Sequence, residues 1–396
     1  MRKQKIIGIV IIIVIILTIL GINNRNIFND DEQVIQDKQQ IKQENLTIDE
    51  KVDKTVESMS QTEKLGQMVM IGIQGTKVDD DSLYMLHQFH MGGVILFDRN
   101  MDSPEQVKQL TSDLQAQSNE KVPLFIGIDE EGGDVVRMAE KLTPPPSQKE
   151  IGATGDIEQA KTWAIKTAKS LKDMGINVNF APVADVGSND KRSYSTDINT
   201  VIDFVRVATK GYQQENIIYS LKHFPGIGKG KVDSHVDSSN IDASKDTLMA
   251  EDILPFKTII DENEPNDYFI LVSHLKYPAL DEEYPASLSS KIMTDLLRYE
   301  LGYKGIIITD DMEMGAVANH NDFRSIGVNA VKAGADIVLV CHEYEHQQEV
   351  YLGLLDAVNS GEISQERIDE SVKRIIKVKL LHLYDGLYNE VRHLEK

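Results

Sequence analysis

The run Ile217-Ile218-Tyr219-Ser220-Leu221 leads directly into Lys222-His223-Phe224-Pro225-Gly226. Its first five residues are apolar and β-branched or aromatic for the most part, the pattern of a short buried strand. A Lys-His pair stands where that strand ends. The alternating glycines Gly226, Gly228 and Gly230 then lead to Asp233-Ser234-His235. Glycine adopts backbone angles that other residues avoid, so a bending loop is expected here. Titratable groups on a loop at the end of a rigid strand are placed for chemistry.

Seven further runs have the same character, so that eight lie in series at 68–73, 93–97, 124–128, 178–183, 217–221, 268–273, 305–309 and 336–341. Amphipathic stretches separate them. The stretch 156–174 puts Ala160, Ala164, Ala168 and Leu171 on one face and stops at Gly175, as a helix would. Eight strand–helix units in one series favour a single closed (β/α)8 barrel of the TIM type over an open sheet. A last helix, with Ile368, Val372, Ile375 and Ile376 on one face, is expected to close the domain and leave no room for a second.

A barrel of this kind carries its functional groups where the strands end. The third run ends in Asp129-Glu130-Glu131-Gly132-Gly133, with Arg137 beyond, and the fourth leads to Asp185 and Arg192. The fifth gives Lys222 and His223, the sixth His274, the seventh Asp310-Asp311 and the eighth His342. One Asp after a strand is best read as a helix cap. Polar groups at six strand exits together call for a polar pocket.

Three readings of the glycine-rich loop compete. A phosphate cradle fails, because only three residues separate Gly226 from Gly230 and Val232 follows Lys231, where a P-loop needs four and then Ser or Thr. A solvating surface histidine is the bland reading. The crowding of Lys222, His223, Asp233 and His235 favours the third, an imidazole acid or base held by a carboxylate. Asp233 and His235, two apart, can meet only in a turn. His223, His235, His274 and His342 could in principle converge on a metal, but no His-x-His or His-Glu-x-x-His spacing supports one. No cofactor is called for. A carboxylate nucleophile with a proton donor suits glycoside hydrolysis.

Composition narrows the partners. The 396 residues carry a net charge of −21, which argues against nucleic acid. The single cysteine, Cys341, sits in an apolar run and reads as a small core residue. At the N-terminus, Arg2, Lys3 and Lys5 precede the uncharged run 6–22. That run is longer than a signal-peptide core and lacks a small-x-small site. It falls at the short end of a bilayer span, with the basic flank on the cytoplasmic side. An uncleaved anchor over 1–22 is therefore expected, with a cleaved signal as the alternative. A polar tether at 23–57, either extended or helical, and a barrel at 58–396 follow. The barrel is expected outside the cell membrane.

Seven motifs in order identify a resemblance to glycoside hydrolase family 3, in its bacterial β-N-acetylhexosaminidase branch. They are Ser60-Gln61-Thr62-Glu63-Lys64-Leu65-Gly66-Gln67, Gly92-Gly93-Val94-Ile95-Leu96-Phe97, Ile128-Asp129-Glu130-Glu131-Gly132-Gly133, Asn179-Phe180-Ala181-Pro182-Val183-Ala184-Asp185-Val186, Lys222-His223-Phe224-Pro225-Gly226, Asp233-Ser234-His235, and Ile308-Thr309-Asp310-Asp311-Met312. The resemblance implies that Asp310 is a nucleophile forming a covalent glycosyl-enzyme. His235, paired with Asp233, would be the acid/base. Asp129, Arg137, Arg192, Lys222 and His223 would bind sugar hydroxyls, and His274 would lie near them. Asp311 is expected to point elsewhere. Two positions depart from the family pattern, Ile227 where a His is usual and Glu130 where a Gln is frequent. The implied activity is release of terminal β-linked N-acetylglucosamine from cell-wall glycan and muropeptide fragments by a monomer. The alternatives are a family 3 β-glucosidase or β-xylosidase, catalysis by the substrate's acetamido group with Asp310-Asp311 as carboxylate pair, and an anchored, non-catalytic glycan-binding protein.

Overall fold

The computed structural model describes residues 46–118, 122–137, 142–187, 191–230 and 240–384. The chain divides into two compact units, 1–54 and 55–396. In the first, Thr47 caps the start of the helix Ile48–Ser58, donating from its backbone and hydroxyl to Glu50 Oε2 at 2.8 and 2.9 Å. The end of the expected tether is thus helical. The run 6–22 lies outside the described residues.

The second unit contains the expected barrel. Strands β1 Val69–Gly72, β2 Gly93–Leu96, β3 Phe125–Ile128, β4 Val178–Asn179, β5 Ile218–Phe224, β6 Tyr268–Val272, β7 Ile306–Asp311 and β8 Ile337–Val340 pair in sequence order. All pairs are parallel, and β8 closes on β1 through Val69–Val338, Met70–Leu339 and Ile71–Val340. The barrel is filled rather than hollow. Phe125 of β3 and Phe269 of β6 meet edge to face with centroids 5.2 Å apart. A Cβ on Gly127 would come within 2.7 Å of Met70 Cε and 2.8 Å of Phe180 Cε2, so the chain has no side chain to spare there.

Helix boundaries follow from local chemistry. Ser60 and Glu63 form a reciprocal capping box at Gln61–Gln67, satisfying amides that the first turn leaves free. Asp156 caps Ile157–Asp173, whose Ala160, Ala164, Ala168 and Leu171 are buried as expected. Gly175 ends it at φ +75, an angle glycine takes at little cost. The last helix, Gln365–His382, buries Ile368, Val372, Ile375 and Ile376.

Three strands end two residues or more from the expected bound, and two of these departures matter for the site. β4 stops at Asn179, because Pro182 has no N–H for the ladder, and Val183 touches β5 only through a bridge to Lys222. β5 runs on past Leu221 through a register shift against β6, so Lys222 and His223 are strand residues rather than the start of a loop. β7 continues through Asp310 and Asp311 after a similar shift against β8. Pairing thus holds both pairs of polar residues.

At the opposite end of the barrel, Asp336 is fully buried just before β8. Its carboxylate accepts from Arg298, from Ser371 Oγ at 2.6 Å, from Arg374 Nη1 at 2.9 Å and from the amide of Ile307 at 2.9 Å. Nearby, Lys379 is 1% exposed; its Nζ donates to Gln67 Oε1 at 2.6 Å and Gly92 O at 2.7 Å and lies 4.7 Å from the centre of the Phe125 ring. Burial without a carboxylate partner pushes this amine well below its ordinary value.

Candidate active site

A cavity of about 260 Å³ opens where the strands end, lined by Asp129, Arg137, Arg192, Lys222, His223 and Asp310 among others. Six of the nine residues expected in the site therefore share one space. Asp233 and His235 lie outside the described residues.

Glu131 is the hub of the cavity wall on the β3–β5 side. Its Oε1 takes Lys222 Nζ at 2.5 Å and Arg192 Nη2 at 2.7 Å, and its Oε2 takes Arg192 Nε at 2.8 Å. Lys222 also donates to Asp129 Oδ1 at 2.6 Å. Burial alone would raise the Glu131 carboxyl, but the Lys222 and Arg192 charges outweigh it and hold the group well below the usual carboxylate range. Lys222 responds in kind. Burial would lower it, yet Asp129 and Glu131 keep it above its ordinary value. Two carboxylates and two cations make this wall neutral and fix its donors in place.

His223 extends the network. Its Nε2 lies 3.0 Å from Arg192 Nη2 and its Nδ1 lies 2.8 Å from Asp185 Oδ2. A guanidinium can only donate, so these partners assign the ring hydrogen to Nδ1 and leave Nε2 as acceptor. Asp185 Oδ1 accepts the amides of His223 at 3.2 Å and Ile227 at 2.9 Å. Asp185 thus orients the imidazole and the first turn of the glycine-rich loop together.

Arg137 is held more loosely. Its Nη2 is 3.8 Å from Asp129 Oδ2, its Nη1 is 3.6 Å from Asp98 Oδ2, and its guanidinium sits 5.5 Å from the centre of the Phe97 ring. Its Nε has no hydrogen-bond partner among the described residues. It is a cation of this wall with a donor to offer. Glu130 turns away from the cavity and accepts the Arg137 amide at 2.7 Å. Burial pushes its carboxyl up to about 7.

Asp310 stands half-buried at the end of β7 and accepts the amide of Asp311 on Oδ1 at 2.9 Å. Asp311 is tied to β8. Its Oδ1 accepts the amides of Glu313 and Cys341, each at 3.1 Å, and its Oδ2 lies 3.2 Å from His342 Nε2. Cys341 is buried, as expected of a small core residue, and also borders the cavity.

His274 lies behind the cavity wall. It is fully buried and does not line the cavity; its ring nitrogens meet Ser287 Oγ at 2.7 Å and Asp311 O at 2.8 Å. Alternate residues of a strand point to opposite sides, and here Leu271 and Ser273 take the inward places. The glycine-rich loop differs too. Of its three glycines only Gly226 has a positive φ, +122, and a Cβ there would meet Asp252 Cβ at 2.9 Å. Lys229 then pairs with Glu251 at 2.5 Å and Asp252 at 2.6 Å. The first stretch of the loop is pinned, not free.

Reading the strand exits left Glu131, Asp185 and His342 without roles, although each was visible at the end of a run. Their importance comes from partners distant in sequence. Among the described residues, no three or more His, Cys, Asp and Glu side chains are grouped to hold a metal ion.

Residues 60–378 match the glycosyl hydrolase family 3 N terminal domain. The chain belongs to glycoside hydrolase family 3. Its relatives include bacterial β-hexosaminidases. The chain is 35% identical to beta-hexosaminidase A of Pseudoalteromonas piscicida over 326 residues, 74% of this chain and 54% of that protein. It is 30% identical to a beta-hexosaminidase of Nitrosomonas eutropha over 340 residues, 82% of this chain and 96% of that one. The chain thus spans about half of the first relative and nearly all of the second. A solved family 3 beta-N-acetylglucosaminidase from Paenibacillus sp. str. FPU-7 superposes with a TM-score of 0.80 at 37% identity, covering 83% of this chain and 64% of that one.

Proposed function

We propose that this family 3 protein is a retaining exo-β-N-acetylglucosaminidase acting on cell-wall glycan and muropeptide fragments. The observation that carries the reading is Asp310 facing one cavity with the Asp129–Lys222–Glu131–Arg192–His223 network. Such a wall offers fixed donors and acceptors to a ring bearing several hydroxyls, and Asp310 supplies the carboxylate that retaining hydrolysis needs. The names of the relatives support the N-acetylglucosaminide as substrate.

In the first step Asp310 attacks the anomeric carbon. The glycosidic bond breaks, an ester to Asp310 forms, and the leaving oxygen takes a proton from His235, whose cation Asp233 stabilises. In the second step neutral His235 takes a proton from water, the hydroxide attacks the anomeric carbon, and the ester to Asp310 is cleaved. The competing route, assistance by the acetamido group with both aspartates as its carboxylate pair, is disfavoured by the commitment of Asp311 to two amides and His342.

The same proposal places the barrel outside the membrane, on an anchor at 6–22. Its support is the uncharged run and its basic flank; among the described residues no helix is long and apolar enough to cross a membrane. Full-length protein should sediment with membranes, and protein beginning at Thr55 should not.

The deciding experiment is release of 4-nitrophenol from its β-N-acetylglucosaminide. Asp310→Ala should lower kcat/KM by on the order of 10⁴-fold. His235→Ala should slow poor leaving groups more than good ones. No turnover of this substrate, the β-glucoside or the β-xyloside by the parent protein would replace the enzyme with a glycan-binding protein.

A further inference from the structure

Asp311 and His342 form an Asp–His pair in the cavity, one residue along from Asp310. The side chain of His342 is 47% exposed, yet its ring is held on three sides. Its Nδ1 lies 3.2 Å from Arg99 Nη1, its face packs against Phe97 with centroids 5.4 Å apart, and its Nε2 meets Asp311 Oδ2 at 3.2 Å. Arg99 is itself fixed, donating from Nε to Ile73 O at 2.9 Å and from Nη2 to Cys341 O at 2.5 Å. Because the guanidinium fills Nδ1 as a donor, the ring hydrogen falls on Nε2, the nitrogen that lies 3.2 Å from Asp311 Oδ2. The exits of β1, β2 and β8 thus cooperate to hold one ring nitrogen close to the carboxylate next to Asp310.

The remaining charge around His342 is accounted for. Glu313, after β7, accepts the amides of His342 and Glu343 and the ring of His346. Arg99 faces the ring from the turn after β2, and Asp311 faces it from β7. The hydrogen bond to Asp311, with that carboxylate's charge, holds the His342 imidazole above its ordinary value despite burial.

Asp310 and Asp311 bring two carboxylates to one cavity, where like charges repel. The amides of Glu313 and Cys341 occupy Asp311 Oδ1, which leaves Oδ2 as the oxygen whose charge would be felt beside Asp310. We propose that His342 is a positioning residue for the nucleophile, binding Asp311 Oδ2 so that Asp310 alone presents a free carboxylate to substrate. This rests on the reading of Asp310 as the nucleophile. His342 takes no part in bond making; it keeps the second carboxylate turned toward β8 and its charge compensated.

The test is the pH profile of kcat/KM for the 4-nitrophenyl substrate, by stopped assay, in the parent, His342→Ala, His342→Gln, Asp311→Asn and the double variant Asp311→Asn/His342→Ala. His342→Ala should move the acidic limb up by roughly one pH unit, a loss of about 10-fold at the acidic end that shrinks at neutral pH. His342→Gln, which keeps an N–H within reach of Asp311, should restore most of it. In the Asp311→Asn background, removal of His342 should leave the limb where it is. An unmoved limb in His342→Ala, or an equal shift with and without the Asp311 charge, overturns the proposal. If the alanine variant does not fold, His342→Asn, too short to reach Asp311, takes its place with the same expectations. A 2-fluoro sugar separates the two layers. An adduct on Asp310 with an unmoved limb overturns this inference alone, and turnover without an adduct on Asp310 overturns the reading beneath it as well.

Discussion

Two clusters of buried charge sit at opposite ends of the same barrel and are built to different ends. At the N-terminal end, every oxygen of Asp336 is spent on arginines, a serine and a backbone amide. The cluster joins β7, β8, the helical segment Lys291–Glu300 and the last helix. At the C-terminal end, Glu131 binds Lys222 and Arg192 just as tightly, but both cations also border open space. The first cluster closes the fold. The second holds donors ready for a ligand, which is the division of labour expected between the two faces of such a barrel.

The sharpest way to break this contrast is to remove one carboxylate from each end. Asp336→Ala leaves the arginines around it without their anion and should cost about 3–5 kcal/mol in urea unfolding, while kcat/KM of the folded fraction stays within about 2-fold. Glu131→Gln keeps shape and removes charge; kcat/KM should fall on the order of 10²-fold, with a smaller stability loss than Asp336→Ala because Lys222 retains Asp129. If Glu131→Gln unfolds the protein and spares its activity, the contrast is gone.

Glu130 and Glu131 sharpen it further, since neighbours in one chain show opposite shifts. Glu131 is held below its ordinary value of 4.5. The unfolded chain is therefore protonated first, and the stability contribution is full above that value and lost as pH falls below it. Glu130 is pushed up to about 7, so its contribution is full below 4.5 and lost as pH rises through about 7. Glu130→Gln should match the parent at pH 4 and exceed it by roughly 1–3 kcal/mol at pH 8, measured by urea unfolding at both. The smallest effect belongs to Asp98→Asn. Its carboxylate is 3.6 Å from Arg137 and 66% exposed, so KM should change by less than about 3-fold.

The barrel was legible because each strand is a short apolar run bounded by polar residues, and eight of them fit one known architecture. The ends of β5 and β7 were not, since Lys222-His223 and Asp310-Asp311 look like loop residues until the neighbouring strands are seen to pair with them. The pocket was legible as a set of strand exits. What escaped was which residue orders the others. Glu131 and Asp185 were visible only as acidic residues after a strand, because their partners lie far along the chain, 61 residues for Glu131–Arg192 and 38 for Asp185–His223. His274 lies one residue of strand alternation behind the wall, with Ser273 taking the inward position.

Lys379 gives the barrel a built-in chemical clock. An amine shifted toward its neutral form is a better nucleophile than the surface lysines around it, but at 1% exposure no acylating reagent meets it in the closed barrel. Its modification must wait for the last helix to part from β2 and the helix Gln61–Gln67, so the rate at which this one lysine is acylated reads out how often the floor of the barrel opens.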